Sequence, residues 1–179
     1  MYGTLLETTP DLTEIWAETG YSRVSVDRIE PDNPVREFNE YYRSLSDHGM
    51  PRWEAFDICA VPKHVVAYIA LGRPEYLNPT DEVPDHFVYT LEGGAVRSLI
   101  GRSVIGLKIG QVKRLDDSNS LRREVDDAVA SRDVVCARSD LDLEDRPNLR
   151  FTRGLFLFSG ADGSIEKLVV VLYKMPIGR

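Results

Sequence analysis

The stretch His86-Phe-Val-Tyr-Thr-Leu-Glu-Gly-Gly-Ala-Val-Arg-Ser-Leu-Ile-Gly-Arg-Ser-Val-Ile-Gly-Leu-Lys-Ile-Gly110 decides the fold. Phe87, Tyr89 and Leu91 alternate with His86, Thr90 and Glu92, the period-2 pattern of a half-buried strand, with Val88 the one break. Gly93-Gly94 offers a backbone free to take positive φ for a sharp turn. Ala95, Val96, Leu99 and Ile100 then share one side of a short helix that Gly101 can end, and Gly106 and Gly110 punctuate a loop beyond it. The expectation is strand, turn, short helix, loop.

Toward the C-terminus, Ser120 reads as an N-cap, because Leu121, Val125, Ala128 and Val129 follow at helical spacing. Val134 to Ala137 reads as a strand, followed by the charged segment Asp140 to Arg146. Phe151–Phe158 and Ile165–Tyr173 flank the turn Gly160-Ala-Asp-Gly163, the pattern of a β-hairpin.

Toward the N-terminus, Gly72, Pro74, Pro79 and Pro84 make residues 72–85 a long surface loop. The β-branched run Val65–Leu71 predicts a buried strand, and Pro51–Asp57 a turn anchored by Trp53 and Phe56. Val35, Phe38, Tyr41, Tyr42 and Leu45 form one stripe of a helix over 35–47, with Asn33 as N-cap and Pro34 at the first helical position. That stripe is wide enough either to pack on its own sheet or to pair with a second copy as a homodimer. Residues 1–34 are acidic and broken by prolines, and read as a partly ordered N-terminal arm with a helical turn around Leu12, Ile15 and Trp16. Residues 35–179 form the domain. The class is α+β: a five-stranded antiparallel sheet with helices on one face.

Composition narrows the function. The chain has 179 residues, 42% hydrophobic and 28% charged, which fits an ordinary globular domain. A net charge of −7 argues against non-specific nucleic-acid binding, which needs a basic surface. No apolar run reaches the roughly 20 residues of a membrane helix, and the first residues lack a signal-peptide pattern. Cys59 and Cys136 have no CxxC spacing and read as buried free thiols, so a cytoplasmic location is expected. The three histidines, His48, His64 and His86, have no metal-ligand spacing, and neither a metal nor a cofactor is expected. Leu107 stands between Gly106 and Lys108, so the 101–108 segment is not a phosphate-binding loop.

In the order and spacing of these pieces the chain resembles the PAS domains, in particular a PAS-like family of bacterial proteins of unassigned function. The resemblance covers residues 35–175. It rests on the aromatic helix before Pro51, the Trp53…Phe56-Asp57 turn, strand 65–71, Phe87-Val-Tyr-Thr-Leu-Glu-Gly, Leu99-Ile-Gly-Arg-Ser-Val-Ile-Gly106, and the closing hairpin. It implies a non-catalytic sensory or regulatory domain in signal transduction, with helices cupped over a sheet and a cavity between. The occupant would be a small apolar or amphipathic ligand, or else side chains that leave a protein partner as the target. The candidate cavity wall combines Tyr89, Leu91, Leu99, Val125, Val129, Phe156 and Phe158, with Arg97 either holding an anionic group or serving as plain surface charge. The blue-light flavin version of the fold is not implied, because residues 95–103 hold no cysteine. The alternatives are a small cone-shaped α+β isomerase or hydrolase and a ligand-free interaction domain.

Overall fold

The computed structural model describes residues 16–109, 120–143 and 146–176. At its centre are two long strands, β5 (Arg146–Ser159) and β6 (Ile165–Lys174), joined by the glycine turn expected there. Successive side chains of a strand point to opposite faces. Here both sets are apolar. Phe151, Leu155, Leu157, Leu168 and Val170 fill one side, and Phe156, Phe158, Val169 and Val171 fill the other.

β2 (Ile69–Glu75) and β3 (His86–Glu92) continue the sheet beyond β6, and β4 (Val135–Leu143) continues it beyond β5. A sixth strand, β1 (Trp16–Arg23), pairs with β4, giving the antiparallel order β1-β4-β5-β6-β2-β3. The class is α+β as expected, but the sheet has six strands rather than five. The additional one comes from the stretch read as an arm. Trp16 opens this strand instead of a helical turn, whereas Leu12 and Ile15 lie outside the described residues. A polar edge strand shows no apolar alternation, because its main-chain ladder to β4 holds it in place.

The helices are divided between the two faces, not gathered on one. α1 (Pro34–Ser44) begins as expected: Asn33 Oδ1 accepts from the Val35 N–H at 2.9 Å, with Pro34 first in the helix. Its Val35, Phe38 and Tyr42 are buried on the chain's own sheet. The Phe38 and Phe156 ring centroids are 4.7 Å apart, those of Tyr42 and Phe158 5.2 Å, and the Tyr42 hydroxyl donates to the Leu157 carbonyl at 2.7 Å. The short α2 (Lys63–Val66) adds Val65 to the same layer. α3 (Gly94–Ile100) and α4 (Ser120–Ser131) cover the opposite face with Val96, Leu99, Val125, Ala128 and Val129. The physical reason is the sheet centre: strands apolar on both sides need cover on both sides.

Two local expectations are corrected. Val65 and Val66 lie in a helical turn, where the Pro62 carbonyl accepts from the Val65 N–H at 2.8 Å, and β2 starts only at Ile69. The strand then runs through Gly72 and Pro74 to Glu75, into the stretch read as loop. Gly93 has an ordinary φ of −77°, and the left-handed residue is Gly101, at φ 85° in the C-cap of α3. Gly93 is needed for a close approach: a Cβ there would stand 2.3 Å from the Ala67 carbonyl oxygen.

The two neighbouring glycines therefore separate by experiment. Gly93→Ala is expected to destabilise the fold by about 1–3 kcal/mol in urea unfolding, since backbone cannot yield as a side chain can. Gly94→Ala meets open space inside α3 and is expected to be neutral or stabilising by up to about 1 kcal/mol. Equal effects would contradict the close-approach account.

Candidate functional site

The loop before β3, the first residues of β3 and one flank of α4 border a pocket of about 190 Å³. Phe87, Ile109, Val125 and Val129 supply apolar lining, and Asp85, Arg122 and Asp126 bring charge to its border. Ile109 reaches this place because the glycine-punctuated loop runs back along β3. The Gly106 N–H donates to the Tyr89 carbonyl at 2.8 Å, the Tyr89 N–H to the Leu107 carbonyl at 3.0 Å, and the Ile109 N–H to the Phe87 carbonyl at 2.7 Å. Gly72 in β2 leaves room for it, since a Cβ at that position would lie 2.7 Å from Ile109 Cδ1. The pocket is smaller than the roughly 300–1,000 Å³ of drug-sized sites. It is comparable with apolar cavities of about 150 Å³ that accept benzene.

Of the eight residues expected at a cavity wall, Val125 and Val129 line this pocket. Leu99 belongs to the same core layer, with Tyr89 partly buried against it. The other four lie elsewhere. Leu91 is 46% exposed, because a bulge pairs Leu71 with Leu91 but Gly72 with Tyr89 and turns Leu91 outward. Arg97 is on the exposed side of α3, its Nε 3.9 Å from Glu92 Oε1. Phe156 and Phe158 belong to the opposite layer under α1, as strand alternation from Leu155 and Leu157 requires.

Charge near the pocket is paired. Arg122 Nε lies 3.0 Å from Asp126 Oδ1, one helical turn away, and Asp85 accepts from the Leu77 N–H at 2.6 Å. His86 also lines the pocket, and its Nε2 is 2.8 Å from Glu75 Oε2. The hydrogen bond from His86, then that from Arg73, holds Glu75 below the usual carboxylate range. The contribution of this pairing is therefore present above the ordinary carboxylate value and fades as pH falls through the lowered one. Among the described residues no group of three His, Cys, Asp or Glu side chains is placed to hold a metal ion.

Sequence reasoning missed a second feature on the α4 side, the ion pair of Glu124 with Arg153. Its signal was visible: Arg153 interrupts the apolar run of β5, and Glu124 follows Ser120 by one helical turn. Burial pushes the Tyr89 hydroxyl up to about 12. It does the same to Tyr21, where the Glu124 carboxylate adds to the effect.

The chain matches no protein-family model and no curated protein sequence. No helix among the described residues is long and apolar enough to cross a membrane.

Both cysteines are free, but Cys59 is exposed rather than buried. Burial first, then the Glu124 charge, pushes the Cys136 thiol up to about 12. A disulfide reagent at pH 8 is expected to modify one thiol of the native protein rapidly and the second only after denaturation. Two fast thiols would contradict the burial of Cys136 behind α1.

Proposed function

We propose that this chain is a non-catalytic, PAS-like sensory or regulatory domain that takes a small apolar or amphipathic ligand on the α4 side of its sheet. The observation that carries the reading is the pocket beside α4, lined by Val125 and Val129 with Phe87 and Ile109. Further support comes from α3 and α4 lying over one face of an open antiparallel sheet, as the PAS resemblance implies. The layer under α1 and the edge strand β1 are additions to that plan. The lining selects an apolar body about the size of one aromatic ring. Asp85, Arg122 and Asp126 at the border suit a polar end that stays near water. Transmission would run through α4, since a ligand seated against Val125 and Val129 touches that helix directly.

A second reading, a small isomerase or hydrolase, draws on one observation. His86 borders the pocket and is oriented by a carboxylate, the arrangement that general acid–base chemistry uses.

Val129→Trp tests the leading reading. An indole placed in a filled layer overpacks it, at about 1–3 kcal/mol. With a receptive pocket the indole occupies it instead. The expected result is a variant with nearly unchanged melting temperature whose native mass spectrum has lost any small molecule bound to the parent. An unfolded variant together with a parent at bare polypeptide mass would favour a ligand-free interaction domain.

A further inference from the structure

We propose that Arg153 is a binding site for small organic carboxylates, held closed in this structure by Glu124 acting as the chain's own stand-in for the ligand. Glu124 grips Arg153 as an external carboxylate would. Arg153 Nε donates to Glu124 Oε2 at 2.8 Å and Nη2 donates to Oε1 at 2.7 Å, the parallel two-bond geometry of guanidinium–carboxylate recognition. The side chains are 6% and 0% exposed.

Other polar groups converge on the pair. Arg153 Nη2 also donates to Ser120 Oγ at 3.4 Å, and the Tyr21 hydroxyl is close enough to Glu124 to feel its charge. The guanidinium lies over the Phe151 ring, 5.1 Å from its centroid, so the side chain leans along β5 toward the level of Phe151. Directly across the ladder from Phe151 is Ser139, and across from Ser139 is Tyr21. Facing residues of an antiparallel pair share a face. Ser139 is 2% exposed, and its buried Oγ has no hydrogen-bond partner among the described residues. A buried hydroxyl left without a partner, on the sheet face that carries Arg153, is open to one further hydrogen bond.

The energetics allow exchange so long as Arg153 stays paired. Burying an ion pair removes two hydration shells, and the attraction gained often does no more than offset that loss. A carboxylate entering from solution keeps Arg153 paired while returning Glu124 to water. It also offers an acceptor to Ser139. Glu124 and Ser120 occupy one flank of α4, whereas the pocket borders the flank of Val125 and Val129. The site is thus separate from the proposed pocket, and its fate leaves that reading untouched.

The test titrates the full chain at pH 7 with sodium acetate and sodium malonate, against sodium chloride and sodium sulfate at matched ionic strength. Melting temperature and the Arg153 Nε nitrogen resonance are followed. The parent is expected to show a saturable rise and a moving resonance with the carboxylates alone. Glu124→Gln replaces the internal carboxylate with a neutral amide and is expected to lower the half-saturating concentration about tenfold or more, because an amide oxygen competes less well than a carboxylate for the guanidinium. Tyr21→Phe, which removes a polar neighbour of Glu124 on the edge strand, is expected to shift it in the same direction by less. Arg153→Met is expected to abolish the response. If parent and Tyr21→Phe, both folded, respond to malonate no more than to chloride and the resonance stays still, the pair is a fixed structural element and the proposal falls.

Discussion

The β5–β6 hairpin sets the terms for the rest of the molecule. With leucine, phenylalanine and valine on both sides, it cannot leave either face to water, and each flanking segment resolves as cover for one of them. The cover differs by side. Under α1 the contacts are ring on ring: Phe38 and Tyr42 against Phe156, Phe158 against Trp53, and Trp53 stacked on Phe56 at 4.7 Å. Under α4 the covering side chains are the smaller Val125, Ala128 and Val129. The aromatic layer makes a ring-packed back, and the valine layer makes a front with room in it.

The front also carries the structure's one described pair of buried opposite charges, Glu124 with Arg153. The two flanks of α4 thus do different chemistry, apolar toward β3 and ionic toward β4 and β1. The edge strand takes part in the second, through Tyr21 and through the ion pair of Arg23 with Asp127. α4 is thus held on one side by polar contacts and bordered on the other by a pocket.

Most of the plan was legible because it depends on local patterns. The Asn33–Pro34 start of α1, the strand His86–Glu92, the Gly101 stop and the closing hairpin all follow from spacing and caps. Three things were not legible, each for a physical reason. Main-chain pairing with β4 fixes β1, and that leaves no mark on its side chains. The bulge at Leu71/Gly72 reverses Leu91, which alternation alone would put inside. The division of helices between faces did have a signal in Leu155-Phe-Leu-Phe158 and Leu168-Val-Val-Val-Leu172, runs without alternation that mark strands buried on both sides. Reading those runs as one-sided placed Phe156 and Phe158 in a cavity they turn away from.

The central claim is that the two faces differ in function, with the α4 side receptive and the α1 side filled. Methyl NMR of the valine-labelled protein titrated with indole, a single small aromatic probe, tests it directly. The account predicts saturable shifts at the Val125 and Val129 methyls while Val35, Val169 and Val171 stay unmoved. Shifts confined to the α1 layer, or no shift at any valine up to the solubility of indole, would contradict it.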